Sequence, residues 1–577
     1  MIKRIFNKLS FLLIGIILLA LVLRLYQLEN IPSGIHRDEA ALGYSAYSMM
    51  LTGQDEYGKV PFFSLQSFGD QKLPLYSWLL VPIVKLFSLS IFSTRLLSVL
   101  AGTISVYLVF FIGKKLFSPK IGFVSAFLFC VMPWSVYFSR AAYEANVALT
   151  LFLLGLSLLL VKSKKSHLFS ALMFSLTLLT YHSSYFFIPI FLYLFLIVVK
   201  LRDELVKTQI ISTSIFTLFW ILMILVNFQS NGTKVSGINI TSNPSTVHAD
   251  VELPRNVHTG NKSILTIIHN RYEIYATQIF ESYINFFTPQ FLVEQGGINL
   301  QHNMPDKGNL SFVEYLLLFS GALLLIVKKP KYWALLLGWF FLAPLIGSFT
   351  RESPHYARSL FGAPVISLIG GYALTCLLSI SNKFRSLLNI GVTGIFTFII
   401  LIFLDNYFVH FPLYNSESWN YGLSTSVKTA VGIKDNYLAI VTTEKSVFPY
   451  IYFLFFNKYS PSQYKNNVIR NKQDREGFVS VQSFDKYFFS DKINWGQLVE
   501  DAKILPIEDT YRILIIDQVK NIPASLIDDM ESGRLEKIHK KSLKIIKTIN
   551  HYSDKLPVYF LVEVRLGNTS DWKSYIK

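Results

Sequence analysis

Cysteine is nearly absent, with two residues, Cys130 and Cys376, in a chain of 577. Both lie inside apolar blocks, which excludes a disulfide framework or a Cys metal site and makes them read as small buried hydrophobes. Charge is scarce too. Only 16% of residues are charged while 52% are hydrophobic, and a soluble chain of this length needs more charge to keep its surface hydrated. No internal repeat and no low-complexity tract occurs, so solenoids and compositional tails are excluded. The charge that exists is mostly of one sign, 54 Lys and Arg against 37 Asp and Glu. These basic residues cluster in short segments between apolar blocks. That is the pattern of loops facing anionic lipid, and it argues against a nucleic-acid partner.

What the sequence does have is a series of apolar blocks long enough to cross a bilayer. About eleven spans are predicted, at residues 11–28, 92–112, 121–138, 145–161, 168–181, 185–199, 210–228, 312–327, 332–349, 360–380 and 387–404. The first resembles a signal peptide, but no small-x-small cleavage site follows it, so an uncleaved span is expected. With a cytoplasmic N-terminus, alternate connections should be basic. They contain Lys114, Lys115 and Lys120; Lys162, Lys164 and Lys165; Lys200, Arg202 and Lys207; Lys328, Lys329 and Lys331; Lys383 and Arg385. Every cytoplasmic loop passes, which predicts a multi-pass plasma- or inner-membrane protein with its long loops outside. These are residues 29–91, residues 229–310 with Asn-Gly, Asn-Pro, Gly-Gly and Met-Pro turn signals, and the tail 405–577. The membrane region is thus 1–404. The tail alternates strand-like runs at 437–443, 511–517 and 557–564 with helical stretches at 416–431 and 447–456, the pattern of a small extracytoplasmic α/β domain.

Candidate chemistry gathers on the outer face. The first loop opens with His36-Arg37-Asp38-Glu39, where the acidic pair starts a helix expected to end near Gly53. Carboxylates favour a helix's first turn for dipole reasons alone, yet one held at the membrane face could also act as a general base. Asp70-Gln71-Lys72 leads into an aromatic stretch through Tyr76 and Trp78. This reads as an amphipathic interfacial helix, with Lys72 snorkelling toward phosphates, and the same physics would let Lys72 hold the phosphate of a lipid ligand. Arg140 and Glu144, four apart, could pair on one helical turn. Arg351, His355 and Arg358 fill a short outer loop. Basic residues there run against the positive-inside bias and call for either an anionic ligand or an ion pair with Glu352 or Asp38. No row of mid-span carboxylates suggests a pump or channel.

At these residues the sequence resembles the GT-C superfamily of membrane glycosyltransferases. The likeness is to bacterial family 39 relatives, including protein O-mannosyltransferases and the aminoarabinose transferase of lipid A. It is carried by Asp38-Glu39-Ala40, Gly69-Asp70-Gln71-Lys72-Leu73-Pro74-Leu75-Tyr76, Arg95-Leu96-Leu97-Ser98, Ser139-Arg140 with Glu144, Pro354-His355-Tyr356-Ala357-Arg358 and Trp419-Asn420-Tyr421-Gly422. The resemblance implies a polyprenyl-phosphate-linked sugar donor and an acceptor hydroxyl that inverts the anomeric carbon. It implies Asp38 as base or acceptor-orienting residue with Glu39 in support, Lys72 on the lipid phosphate, and Arg140 and Arg358 neutralising the leaving group. Asp70, Tyr76, Glu144, Arg351 and His355 fall in as supporting residues. The aminoarabinose transferase has Glu-Lys where this chain has Asp70-Gln71-Lys72, a departure that bears on any metal role of the acidic neighbour.

The residues themselves favour the same chemistry. A polyprenyl phosphate is a competent leaving group, so fixed cations and one base suffice. With no Asp-x-Asp pair in the first loop, a metal-independent site is expected; a divalent metal would look to His36, His182 or His355. The acceptor stays open between a protein, a glycolipid and a polysaccharide. The competing reading is a transporter or flippase of polyprenyl-linked glycans, which the nearly uncharged spans disfavour.

Overall fold

A computed structural model describes residues 2–230, 248–257, 262–379, 385–474, 477–502, 511–532 and 543–566. The Asn-Gly and Asn-Pro turns expected at 231–232 and 243–244, and Lys383, lie outside the described residues. Four described helices are long and apolar enough to cross a membrane: Ile91–Leu116, Lys207–Val226, Leu360–Leu377 and Ser386–Tyr414. A fifth arises if Pro119–Val131 and Pro133–Ser139, bent by 59°, form one span. Five shorter apolar helices accompany them. Only 11% of the apolar window in Ser386–Tyr414 is buried, so that helix shows its hydrophobic side chains outward, where lipid and not water is the matching solvent.

The chain forms two compact units. One comprises Met1–Tyr26 with Ser98–Tyr407; the other comprises Gln27–Leu97 with Phe408–Lys577. Sequence patterning draws the boundary at 404/405. In the structure the segment 27–97 belongs instead with the tail.

The first unit is helical and packs through small residues. A Cβ on Gly113 would sit 2.9 Å from Gly122 Cα, and one on Gly371 would strike Ser125, so these backbones approach as closely as membrane helices allow. Two arginines are wholly buried in it. Arg24, near the end of α1 (Ile2–Leu25), donates to the Ala20 and Cys130 carbonyls and to Ser135 Oγ. Arg140 donates to the carbonyls of Leu23, Arg24 and Tyr26, at 2.6–3.0 Å. The first two are among the last carbonyls of α1 and Tyr26 follows its end, so the cation caps the negative end of the helix dipole.

The second unit is built on a seven-stranded sheet. Its strands are β3 (Ala439–Thr442), β4 (Ile469–Arg470), β5 (Val481–Phe484), β6 (Tyr487–Phe489), β7 (Tyr511–Gln518), β8 (Leu543–Asn550) and β9 (Pro557–Leu566), in the order β4-β5-β6-β3-β7-β9-β8. β6, β3 and β7 run parallel; the flanking pairs are antiparallel. Ala439, Val441, Leu498, Ile513, Ile515 and Val562 form much of the core on one face.

The first loop lies against this domain. It contains α2 (Arg37–Thr52), the hairpin β1 (Leu65–Ser67) and β2 (Asp70–Lys72), and α3 (Leu75–Phe87). The Tyr450 hydroxyl donates to Glu56 Oε1 at 2.8 Å, and Arg470 donates to the Glu56 carbonyl while stacking 4.1 Å from the Tyr57 ring. The Tyr44 hydroxyl donates to the Tyr459 carbonyl. Gly34 has φ +80, and a Cβ there would fall 2.8 Å from Trp419 O and Tyr421 Cα. The Trp-Asn-Tyr-Gly motif is therefore a seat for the start of the loop.

Glu56 is 2% exposed. Burial raises its carboxyl to about 7, against the opposing pull of Tyr450 and Arg470. The folded value lies above the unfolded one, so the folded state binds the extra proton between about pH 4.5 and 7. Stability therefore falls as pH rises through that window, by roughly 3 kcal/mol in all. Glu56→Gln mimics the protonated acid. It is expected to raise the melting temperature by several degrees at pH 8 and to change it little near pH 4, as measured by thermal unfolding of the detergent-purified protein.

Candidate active site

Asp38 and Glu39 occupy the first turn of α2, as expected, and the helix closes on Gly53 in the left-handed conformation. The N-cap is His36. Its side chain accepts from the Asp38 N–H, and Glu39 Oε2 accepts from the His36 N–H, which makes a reciprocal capping box. The two carboxylates then part company. Glu39 is buried and meets Arg95 in a two-pronged pair, Nε to Oε1 at 3.0 Å and Nη2 to Oε2 at 2.9 Å. Arg95 also donates to the carbonyls of Leu28, Pro32 and Gly34 and faces the Trp419 ring at 5.7 Å. Glu39 and Arg95 thus set the path of the chain that delivers Asp38.

Asp38 is the carboxylate that faces outward, its side chain 49% exposed. Lys72 Nζ donates to its Oδ1 at 2.6 Å, and His36 Nδ1 lies 3.4 Å from Oδ2. Burial would raise this carboxyl, but Lys72, His36 and Arg37 outweigh it and hold it well below the usual carboxylate range. Burial, partly offset by Asp38, pushes His36 down. With its carboxylate half-exposed, the Asp38–Lys72 pair is partly screened by water.

Lys72 sits on a strand and not on the interfacial helix expected from sequence. Phe68 and Gly69 have φ of +56° and +78°, the two positive values of the tight hairpin turn that matches strand twist. The turn pairs Ser67 with Asp70 and Leu65 with Lys72. The Phe68 carbonyl accepts from the Val479 N–H at 2.8 Å, and a Cβ on Gly69 would lie 2.6 Å from the Val479 side chain. The Phe68 ring packs 4.9 Å from Phe448 and faces Lys72 Nζ at 5.0 Å. The ammonium is therefore held between a carboxylate and a ring face. Asp70 begins β2. Tyr76 is wholly buried, its hydroxyl donating to the Thr94 carbonyl, so it ties α3 to the helix Ile91–Leu116.

The remaining predicted residues belong to the first unit. Arg140 caps α1 as described. The helical turn expected to pair it with Glu144 does not form, because one helix ends at Ser139 and the next starts at Glu144. Arg351 is exposed. Arg358 donates through Nη1 to Thr350 Oγ1, and its backbone N–H donates to His355 Nδ1. His355 is buried against His302, ring centres 4.5 Å apart, with Nε2 3.7 Å from Glu352. Burial, His302 and Arg358 push it well below its ordinary value, so it is neutral near pH 7. Among the described residues no group of three or more His, Cys, Asp or Glu side chains is placed to hold a metal ion.

Three residues near Asp38 escape sequence reasoning as site residues. The Arg37 guanidinium lies 5.1 Å over the Phe448 ring. Asn420, at φ +53°, donates to the buried Tyr452 hydroxyl at 2.8 Å. Tyr452 feels Asp38, Glu39 and Arg37 electrostatically. Asn420 and Tyr452 lie some four hundred residues from α2, so only the fold assembles them.

A family model described as dolichyl-phosphate-mannose-protein mannosyltransferase matches residues 71–227, which includes Lys72. Among solved structures, apo ArnT from Cupriavidus metallidurans superposes with a TM-score of 0.51 at 11% identity, covering 95% of this chain and 97% of that one. The two chains share a fold over nearly their whole length. ArnT from the same organism bound to undecaprenyl phosphate aligns at TM-score 0.49 and 10% identity, over the same shares of the two chains. The AglB oligosaccharyltransferase of Archaeoglobus fulgidus, in complex with an inhibitory peptide and a dolichol-phosphate, gives 0.44 at 13% identity, covering 78% of this chain and 63% of AglB. No curated protein matches it by sequence.

Proposed function

We propose that this protein is a glycosyltransferase that moves a sugar from a polyprenyl-phosphate donor to an acceptor hydroxyl on the extracytoplasmic face, inverting the anomeric carbon. The observation that carries this reading is the Asp38–Lys72 pair at the mouth of α2, a carboxylate and an ammonium 2.6 Å apart with the carboxylate half-exposed. Donor phosphate takes the ammonium; Asp38 orients the attacking hydroxyl and accepts its proton as the glycosidic C–O bond breaks. A carboxylate below its ordinary range is a weak base while Lys72 sits on it. Transfer of Lys72 to the phosphate removes its largest charge partner and makes it a stronger one, so the base is activated by donor binding. Glu39 is a positioning residue through Arg95. Asp70, two residues before Lys72, serves as a supporting substrate contact. The phosphate-dolichol donor named in the matching family description supports the donor class. No metal is required by this scheme. The chain crosses the membrane about eleven times with a cytoplasmic N-terminus.

The test is direct. Purified protein is incubated with polyprenyl-phosphate mannose and hydroxyl acceptors. Release of polyprenyl phosphate is measured, and the anomeric configuration of the product is read by NMR. No release from any donor, or a retained configuration, overturns the reading. Lys72→Met is expected to raise the KM for donor at least tenfold, since a charge-assisted phosphate contact is lost.

A further inference from the structure

At the other end of α2 lies a second polar feature. A groove of about 360 Å³ opens between the end of that helix, the Gln54–Gly58 turn and the helix Pro461–Asn467, all within the second unit. Apart from Gly58 and Pro461, every residue lining it carries a polar side chain. The Ser48 hydroxyl is wholly buried and donates to the Gln54 carbonyl, while the exposed Thr52 hydroxyl donates to the Ser48 carbonyl and accepts from the Gln54 N–H, which leaves Thr52 Oγ1 one further lone pair toward the groove. Asp55 is buried, and its two oxygens take the backbone N–H groups of Tyr57, Lys59 and Gln66. It shapes the turn instead of presenting charge.

The accessible charge is Lys465. Its nearest polar partner is Gln54 Oε1 at 3.5 Å, and among the described residues no carboxylate pairs with it. Its stem lies across Gly58, where φ is +77 and a Cβ would come within 2.6 Å of Cε. The ammonium is thereby laid into the groove beside the exposed Asn466 amide. Donors and acceptors of both kinds, with a cation that no carboxylate pairs among the described residues, suit a hydroxyl-rich ring that bears a negative group. From Asp38 to Thr52 the helix rises about 21 Å, at 1.5 Å per residue. A ligand in the groove is several sugar units from the reacting hydroxyl.

We propose that this groove is a subsite for an acidic saccharide, and that the acceptor is a glycan chain whose remote, negatively charged part it holds. This rests on the glycosyl-transfer reading above. Binding of a hyaluronan tetrasaccharide to the full-length purified protein is measured by saturation-transfer NMR and titration calorimetry, with chitotetraose as the neutral comparison and a Ser/Thr-rich peptide as the protein alternative. Hyaluronan is expected to bind at least fivefold tighter than chitotetraose. Lys465→Met should weaken it about tenfold, and Asn466→Ala, an exposed change that spares the fold, about threefold. Asp38→Asn should leave this binding within twofold, so failure of the subsite is distinguishable from failure of the transfer reading. Equal binding of the neutral sugar, binding indifferent to Lys465, or Lys465-dependent binding of the peptide alone overturns the proposal.

Discussion

Asparagine in place of Asp38 is expected to lower transfer by about 10²- to 10⁴-fold, the usual worth of a positioned general base. The change is nearly isosteric. It keeps a helix-compatible residue in the first turn of α2, and the carboxylate it replaces is half-exposed, so the fold should hold. The melting temperature should move by no more than about 2 °C, and donor affinity should stay level or rise as Lys72 is freed for phosphate. Loss of turnover with intact donor binding is the signature of a missing base. The pH profile carries a second check. Because Lys72, His36 and Arg37 hold the carboxyl below its ordinary range, the free enzyme's acid limb should lie below pH 4 in kcat/KM. The limb in kcat should lie higher, because donor phosphate competes for Lys72. Unchanged transfer by Asp38→Asn would remove Asp38 from the reaction.

Arg95→Ala is the change expected to cost most stability. Removing one partner of a buried, fully hydrogen-bonded pair leaves Glu39 as an uncompensated charge, worth about 3–5 kcal/mol. Arg95 also holds the carbonyls of Leu28, Pro32 and Gly34, so the chain entering α2 would lose its fixed path. The full-length protein should express poorly or melt at least 5 °C lower. Arg95→Lys should rescue it only in part, because an ammonium cannot span two carboxylate oxygens and three carbonyls at once. The double change Arg95→Met with Glu39→Gln removes both charges and should recover more than half of the lost stability. Recovery of stability without activity would mark the pair as positioning machinery. A single Arg95→Ala protein that melts like the parent would contradict the argument.

Long-range order was legible in this sequence where one physical rule dominates. The tail strands at 437–443, 511–517 and 557–564 were readable because buried strands need uninterrupted β-branched and aromatic runs, and the structure has β3, β7 and β9 there. The strands β4, β5 and β6, two to four residues each, are too short to show a period. Asp38 at the start of a helix was legible from first-turn chemistry. The hairpin that carries Lys72 was not, since Phe68 at positive φ is no ordinary turn residue, and its docking on Val479 lies far along the chain. Arg95 and Arg140 read from sequence as family motifs or phosphate ligands. That both reach several backbone carbonyls emerges only from three dimensions, because a carbonyl leaves no mark in a sequence.

The seating of the Phe68-Gly69 hairpin on Val479 has a practical meaning for engineering. Exchange of acceptor preference between relatives by swapping everything after residue 404 would part Lys72's support from Lys72 itself. Functional chimeras must carry residues 27–97 and 408–577 from the same parent, as one cassette inserted at two places. The tail expressed alone would uncover Phe448, Tyr450 and the ring of Tyr464, and should precipitate, whereas a fusion that restores the loop in trans or by a linker should keep it soluble.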